Sequence, residues 1–370
     1  MNRLPVGIRS LAVSFPSVVR TNDYWRENYS ELVAKAEEKS LAKVFSVLKN
    51  DIWGEEMSPY LSDPFRGVTF RRVLGSGESS LTLEYRAAMD AIEAANLSAS
   101  DIDLMLVTSL FPENIQPGNA AFLAGQIGLK GAAWNLESTC SSATIALQTA
   151  WSLVQMQQYR NILVVISTTY SRFAKEDDTL SWFLGDGAGA FVVSQLKENQ
   201  GVIATKIVHT AETCGTFYCE LDLDEQGHPK MVMRGSKKAS QMFHNTTVKL
   251  IQTCCQEAVT AAGLKLDDID FFAFNTPTAW YANVCTRALG IDPSRTINLS
   301  SEYANIGPML PIANLYHAAA AKKIHENDLV LVYTIGSASN AGATVMRWGD
   351  VALGPMPTSS QSLIKVAVKP

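Results

Sequence analysis

The chain has 370 residues, of which 47% are hydrophobic and 18% charged, so it has enough apolar side chains for a large core in two domains or halves. Its net charge of −5 and pI near 5.6 argue against nucleic acid as a partner, because a phosphate-binding protein normally presents a basic face. No apolar run reaches membrane-spanning length and no export signal is recognisable, so we expect a cytoplasmic protein without membrane contact.

The six cysteines indicate a reduced protein. They occupy positions 140, 214, 219, 254, 255 and 285, with no CxxC pair and no spacing to histidine that is typical of a metal site. A chain of this length also does not depend on disulfides for its stability. We therefore expect free thiols and no bound metal.

The first part of the chain predicts a strand followed by a helical cap. Residues 6–13 are apolar enough for a strand in a sheet, which Phe15-Pro16 ends. Residues 21–51 carry Lys and Glu at helical spacing without a breaker, which predicts helices outside the core. Residues 51–63 are predicted to form a loop, so the cap insertion spans about 21–64.

From residue 81 onward one order of elements occurs twice. Ile102 and Ile269 are 167 residues apart in matching turns, and so are Asn161 and Asp328 at matching strand starts. The first copy contains helix 81–95, strand 104–109, helix 143–155, strand 161–167 and a Gly-rich turn at 185–190 that leads into a strand up to 193; the second contains helix 248–262, strand 271–275, a helix beginning near 305, strand 328–333 and a Gly-rich turn at 341–343 that leads into a strand up to 346.

A duplicated β/α repeat predicts two sheets with helices between and outside them, a layered α/β/α/β/α body. We assign residues 1–200 to an N-terminal half and residues 201–370 to a C-terminal half. The same offset places Gly307 opposite Cys140. The two central helices are therefore expected to begin side by side at a pseudo-twofold axis.

Cys140 is the candidate nucleophile. It lies between strand 131–136 and the apolar helix 143–155, in the segment Ser138-Thr-Cys-Ser-Ser-Ala143. A thiol on the first turn of that helix would face unpaired N–H groups and the positive end of the dipole, which favour the thiolate. The alternative explanation is a small buried residue beside serines that cap a helix.

Five motifs, each in register with the duplication, resemble the thiolase-fold β-ketoacyl-acyl-carrier-protein synthase III group. They are Ser138-Thr-Cys-Ser-Ser-Ala143, Gly185-Asp-Gly-Ala-Gly-Ala190, Leu110-Phe-Pro112, Tyr303-Ala-Asn305 and Gly342-Ala-Thr-Val-Met-Arg347. The likeness covers residues 6–20 and 65–349. It implies a homodimer without a permanently bound cofactor, which takes an acyl group from acyl-CoA or a phosphopantetheinyl acyl-carrier protein onto its cysteine and passes it to a second substrate.

The resemblance also assigns roles to individual residues. Cys140 is expected to be the acylated nucleophile and Asn305 the family's catalytic asparagine. The backbone N–H groups of Cys140 and Ser337 are expected to form the oxyanion hole, although the family usually has glycine at the second position. For substrate binding we single out Thr278, Gln116, Phe122 and Arg172; Gln116 and Phe122 belong to a segment that in the family reaches across the dimer interface.

The chain departs from the family at the catalytic histidine. Where the family has a His-Gln-Ala-Asn type motif, this sequence has Asn275-Thr-Pro-Thr278. We therefore count Asn275 as the third catalytic residue. Its amide can still donate hydrogen bonds to an enolate oxygen, but it cannot remove a proton near neutral pH. The remaining histidines do not fall on catalytic positions, and His317 is expected to be a packing or surface residue.

Residues 24–64 and 211–230 are longer or more polar than in fatty-acid-making members, and both are expected near the mouth of the substrate tunnel. Together with Asn275 they favour an acyltransferase of specialised or polyketide metabolism, which acylates carbon, oxygen or nitrogen of a small acceptor. Two alternatives stay open. One is an ordinary decarboxylative condensing enzyme, as in fatty-acid biosynthesis, and the other is a catalytically degenerate partner subunit.

Overall fold

The computed structural model of the chain describes residues 4–44, 51–223, 226–236, 238–336 and 340–367. Its helices are α1 (Asn22–Asn28), α2 (Ser30–Val44), α3 (Ile52–Met57), α4 (Ser80–Ala94), α5 (Asn119–Ile127), α6 (Ser142–Gln155), α7 (Ala239–Ala261), α8 (Tyr281–Leu289), α9 (Ser300–Tyr303), α10 (Leu310–Ala320) and α11 (Ser360–Ala367). None of these described helices has both the length and the apolarity that crossing a membrane requires.

The strands are β1 (Val6–Ser14), β2 (Val18–Thr21), β3 (Phe70–Val73), β4 (Leu104–Ser109), β5 (Ala132–Asn135), β6 (Asn161–Thr169), β7 (Asp186–Gln195), β8 (Gly201–His209), β9 (Phe217–Leu223), β10 (Pro229–Gly235), β11 (Phe271–Phe274), β12 (Leu329–Ile335), β13 (Asn340–Arg347) and β14 (Ala352–Leu353).

Within the described residues, two large sheets have matching strand orders. The first is β14-β1-β7-β6-β4-β5 and the second is β11-β12-β13-β8. Each contains a parallel pair, β4 with β6 and β11 with β12, followed by two antiparallel neighbours, β7 and β1 or β13 and β8. This correspondence confirms the duplicated architecture. The boundary at residue 200 stays a prediction, and β14 returns from the end of the chain to pair with β1 in the first sheet.

Helices lie outside and between the two sheets. α4 and α5 cover the outer face of the first sheet, and α7 covers the outer face of the second, with α8 packed against it. α6 and α10 lie between the sheets and contact strands of both. α10 is buried along nearly its whole length, which explains why its sequence is apolar on all sides. The predicted five-layer α/β/α/β/α body is thus confirmed.

The segment between β2 and β3 contains the predicted helical cap. α1 and α2 pack through a small cluster of their own, in which Trp25 and Val33 contact Phe65 and Trp182. The prediction of a loop over 51–63 was wrong, because α3 forms there. Its N-cap residue Asp51 accepts a hydrogen bond from the backbone N–H of Gly54 at 2.9 Å, which satisfies one of the free donors at the helix start.

Other segments also differ from the sequence prediction. The Gly-rich turns predicted at 185–190 and 341–343 are wrong, because residues 186–190 and 341–343 lie inside the strands β7 and β13. α7 begins at Ala239, nine residues before the predicted start at 248. The polar stretch 211–230 contributes β9 to a two-stranded antiparallel hairpin with β10. Because this hairpin lies apart from both large sheets, the duplicated pattern contained no counterpart from which it could be predicted.

Candidate active site

Cys140 lies on a tight 3₁₀ turn, Thr139–Ser141, between β5 and α6. Thr139 has a φ of 48°, in the left-handed region that β-branched residues rarely adopt. Neighbouring serines stabilise the turn. The backbone N–H of Ser138 donates to Ser142 Oγ at 2.9 Å, and Ser141 Oγ donates to the carbonyl oxygen of Ser138 at 2.6 Å. This strained connection places Cys140 in the wall of a cavity.

The end of β12 lies directly against the nucleophile turn. A Cβ at Gly336 would come within 2.2 Å of Thr139 Oγ1 and 3.0 Å of Ser141 Oγ, so only glycine permits this approach. Ser337, the second predicted oxyanion-hole residue, follows Gly336 but lies outside the described residues. The oxyanion hole formed by the N–H groups of Cys140 and Ser337 therefore stays a prediction.

The cavity at Cys140 has a volume of about 580 Å³ and mostly apolar walls. Four parts of the chain build it: the cap, the first half, the β9–β10 hairpin with α7, and the second half. The lining residues are Trp53, Met57, Leu61, Arg66, Cys140, Tyr170, Leu180, Phe183, Leu184, Phe217, Met233, Phe243, Asn275, Pro277, Thr278, Trp280, Tyr281, Asn305 and Ile335. The structure thus places both departures from the family pattern, the cap and the 211–230 segment, in the cavity wall.

Asn275 is 2% exposed and contacts the nucleophile's own backbone. Its main-chain N–H donates to the carbonyl oxygen of Tyr333 at 2.9 Å, which prolongs the pairing of β11 with β12. Its Nδ2 donates to the carbonyl oxygen of Cys140 at 3.2 Å. Asn314 of α10 fixes the preceding residue by donating from Nδ2 to the carbonyl oxygen of Phe274 at 2.7 Å. An amide is therefore held firmly beside the cysteine.

Asn305 lies on another side of the same cavity, just before the second central helix. Its Oδ1 accepts a hydrogen bond from the backbone N–H of Gly307 at 2.8 Å. Its main-chain N–H donates to the carbonyl oxygen of Phe183 at 2.9 Å. Because Oδ1 is occupied, the NH₂ group is the part of this side chain that can donate to a substrate oxygen.

The four predicted substrate-binding residues do not come together in the single chain. Thr278 lines the cavity. Gln116 is exposed, Phe122 is 39% exposed on α5, and Arg172 donates from Nη1 to Glu113 Oε1 at 2.5 Å. Only Thr278 can meet a ligand that enters the cavity of one subunit. The roles of Gln116, Phe122 and Arg172 stay predictions, and those of Gln116 and Phe122 require a second subunit.

The Cys140 thiol is protonated at neutral pH, whereas the sequence analysis predicted a thiolate. Burial raises the pKa of Cys140 to about 11; a hydrogen bond from Tyr170 opposes this shift and the charge of Glu137 adds to it. The expectation of a thiolate was wrong, because Cys140 sits on a short turn before α6 and against apolar walls, and desolvation exceeds the effect of the helix start.

This pKa predicts the pH dependence of Cys140 alkylation in the free protein. Below its pKa of about 11 the thiol is protonated, so iodoacetamide should label Cys140 at pH 7 roughly 100-fold more slowly than a free cysteine. The rate should rise about tenfold per pH unit between pH 7 and 9.5. Peptide mass spectrometry after timed labelling measures this. A rate that levels off below pH 8 would contradict the prediction.

Histidine is absent from the described cavity wall. His317 instead packs in the core, where its Nε2 lies 3.1 Å from the hydroxyl of Tyr303 and its ring centroid lies 5.6 Å from that of the same tyrosine. Burial lowers the pKa of His317 to about 4, so the ring is neutral at physiological pH. Among the described residues, therefore, no imidazole is placed to act on a substrate at Cys140.

The sequence analysis missed Tyr170. This residue follows the end of β6, and its hydroxyl lies 3.8 Å from Cys140 Sγ. A signal was present, because β6 runs parallel to β4 and β4 to β5, so residues after β6 and β5 meet at one edge of the sheet. The positions of Trp53 and Phe217 in the cavity wall could not be predicted in this way, because both residues lie in segments outside the repeat.

Comparison with solved structures gives the class of fold. 3-Oxoacyl-[acyl-carrier-protein] synthase III from Aquifex aeolicus matches with a TM-score of 0.73 at 22% identity, over 93% of this chain and 100% of the other. A cysteine-to-serine variant of OleA from Xanthomonas campestris, with bound lauric acid and lauroyl-CoA, matches with a TM-score of 0.73 at 19% identity, over 93% and 99%. The fold is therefore thiolase-like.

Sequence comparison shows which proteins the chain is similar to. The family model for 3-oxoacyl-[acyl-carrier-protein] synthase III matches residues 134–211, and the model for its C-terminal part matches residues 259–348. The β-ketoacyl-[acyl-carrier-protein] synthase III of Oceanobacillus iheyensis is 28% identical over 289 residues, which cover 76% of this chain and 88% of that protein. The chain is thus similar to the β-ketoacyl-acyl-carrier-protein synthase III family in both of its halves.

Proposed function

We propose that the protein is a condensing acyltransferase in which Cys140 accepts an acyl group as a thioester and passes it to a second substrate. The observation that carries this proposal is the position of Cys140 in the wall of a cavity that Asn275 and Asn305 also line. The names of the relatives and the acyl-CoA bound to OleA support thioester substrates. The donor is acyl-CoA or an acyl-carrier protein, and mostly apolar walls suit a hydrocarbon acyl chain.

The absence of imidazole from the described cavity wall limits the second substrate. Two amides can donate hydrogen bonds to a developing oxyanion, but neither can take a proton near neutral pH. An acceptor whose carbon is already enol-like or aromatic needs the least help from a base. We therefore favour transfer to such a small specialised metabolite over transfer to an unactivated alcohol or ammonium group.

Decarboxylative condensation is the second candidate. Loss of CO₂ from a malonyl thioester leaves an electron pair on carbon, so no base is needed to create the nucleophile. Asn275 and Asn305 line the same cavity and can both donate to the enolate oxygen. A degenerate partner subunit is disfavoured, because a non-catalytic cysteine would not require a cavity of about 580 Å³ beside it.

Acyl loading can be tested by measuring the mass of the intact protein after incubation with short- and medium-chain acyl-CoA and with acyl-carrier protein. We expect a mass gain equal to one acyl group. No gain with any donor would overturn the proposed function. A panel of enol-like and aromatic acceptors should then discharge the acyl enzyme; release of CO₂ from malonyl-carrier protein that depends on prior acylation would support the decarboxylative candidate instead.

We also propose a homodimer that pairs through β5. This strand is the edge of the six-stranded sheet, and among the described residues only β4 pairs with it. An unpaired edge with a large apolar side chain favours pairing with another chain, and Trp134 in β5 is 40% exposed. Pairing there would bring the exposed residues Gln116 and Phe122, beside and on α5, towards the second subunit.

Replacing Trp134 with glutamate tests this interface. The wild-type protein should sediment as a dimer, and Trp134→Glu should weaken the dimer at least tenfold, since the new carboxylate would be buried against an apolar surface. Analytical ultracentrifugation at several concentrations measures the change. The exposed Met356 follows β14, the opposite edge strand of the same sheet, and Met356→Glu serves as the control. Equal dimerisation of all three proteins would contradict the interface.

A further inference from the structure

The hydroxyl of Tyr170 is the side-chain group that contacts the nucleophile. It lies 3.8 Å from Cys140 Sγ, within hydrogen-bonding distance for sulfur. Tyr170 is 3% exposed and lines the same cavity as Cys140. The Tyr170 hydroxyl is therefore held beside the sulfur in the cavity wall.

The position of this hydroxyl is fixed from two sides. The Tyr170 ring packs edge-on against Phe111, with 5.3 Å between centroids and 62° between planes. On the other side is Gly307, which has a φ of 55°, and a Cβ there would come within 2.8 Å of the hydroxyl. Gly307 is the counterpart of Cys140 in the duplicated sequence. The Tyr170 hydroxyl thus occupies the space that a side chain at position 307 would need, just before the start of α10.

Acyl transfer to a protonated thiol requires a proton carrier. Cys140 is protonated at neutral pH because burial raises its pKa to about 11. Its proton must leave as sulfur attacks the acyl carbon, and the departing thiolate of the donor must gain a proton. Among the described cavity-lining residues there is no Asp, Glu, His or Lys, and the guanidinium of Arg66 does not act as a base. A hydroxyl can accept and donate a proton in one step.

We propose that the Tyr170 hydroxyl carries the proton during acylation of Cys140. The bond from Sγ to the acyl carbon forms and the bond from that carbon to the donor sulfur breaks. The Sγ proton moves to the Tyr170 oxygen while the hydroxyl proton of Tyr170 moves to the departing sulfur. The products are the Cys140 thioester, the free thiol of the donor and a neutral tyrosine.

This role rests on the proposed function, since it needs an acyl thioester as substrate. Burial raises the pKa of Tyr170 well above its usual value, so the side chain remains a neutral phenol. A neutral phenol fits a relay in which one proton enters as another leaves. It would not fit a mechanism that begins with a tyrosinate base.

The relay can be tested with two donors that carry the same acyl group. The first is the CoA thioester, whose basic alkyl thiolate leaves faster when it receives a proton; the second is the para-nitrothiophenol thioester, whose weakly basic thiolate leaves without one. Tyr170→Phe keeps the aromatic ring and removes the hydroxyl. It should slow acylation of Cys140 by the CoA thioester about 100-fold and acylation by the aryl thioester only about tenfold, because the aryl donor still requires loss of the Sγ proton but its leaving thiolate needs none.

Tyr316→Phe is the matched control, because it removes another buried hydroxyl, one that donates to the carbonyl oxygen of Gly354 at 2.9 Å, away from the cavity. It should leave both rates unchanged. Equal slowing of both donors by Tyr170→Phe, or no slowing of either, would overturn the proton-carrier role while leaving the proposed function intact. If the wild-type protein accepts no acyl group from either donor, both proposals fail.

Discussion

Replacement of Cys140 by alanine should abolish acyl loading entirely, a loss of more than about four orders of magnitude in rate. The reason is covalent: the variant has no sulfur at the cavity wall to form the thioester, and no other cysteine lines that wall among the described residues. Intact-mass measurements after incubation with acyl-CoA should show one added acyl group on the wild-type protein and none on Cys140→Ala. Because the side chain becomes smaller, the fold should persist.

Cys214→Ala is the matched control for this variant. Cys214 is exposed and lies outside the cavity, so its loss should not change loading. If Cys140→Ala gained the same mass as the wild-type protein, the acyl group would reside on exposed thiols such as Cys214 or Cys219, and the proposed function would be wrong. Peptide mapping of the acylated protein locates the modified residue directly.

Asn275→Leu should lower the second half-reaction about 100- to 1000-fold while changing acyl loading less than tenfold. Leucine has nearly the same shape, but it removes the amide that lies beside Cys140 and can donate to the oxyanion formed when the acceptor attacks. Rapid-quench measurement of acyl-enzyme formation and discharge separates the two steps. The expected result is an acyl enzyme that accumulates.

The Asn275 variant also has a structural effect that must be separated from catalysis. Losing the donor leaves the carbonyl oxygen of Cys140 without this hydrogen bond, which should cost about 1–3 kcal/mol of stability. Thermal unfolding should therefore accompany the kinetics. Asn283→Leu on the exposed face of α8 is the control and should change neither half-reaction. Unchanged discharge of the acyl enzyme by Asn275→Leu would remove Asn275 from the mechanism.

Much of the core could be predicted because the duplication repeats the same order of elements at a constant offset in the sequence. The constant offset between Ile102 and Ile269 gave the order of elements, and β4 was predicted to its exact bounds, Leu104–Ser109. The motifs around Cys140 and Asn305 identified two residues that line one cavity. In these places local pattern and global fold agree, which is where prediction from sequence is strongest.

The remaining features depend on contacts that no local pattern records. The raised pKa of Cys140 follows from burial by distant segments, and the turn that holds the thiol departs from helical geometry at Thr139. The contact of Tyr170 with Cys140 joins residues thirty positions apart in sequence. α3 is too short for a helical period to be visible, and it was predicted as loop although Trp53 and Met57 belong to the cavity wall.

The cavity wall has a consequence for how this protein can change over evolutionary time. The reacting groups belong to the repeated scaffold, whereas α3 and the β9–β10 hairpin, which supply Trp53, Met57, Phe217 and Met233, lie outside that repeat. Amino-acid replacements in these two segments can reshape the pocket without disturbing the scaffold that positions the sulfur. The residues next to the sulfur and the residues that shape the rest of the pocket thus lie in different segments of the chain. Either set can change while the other is kept.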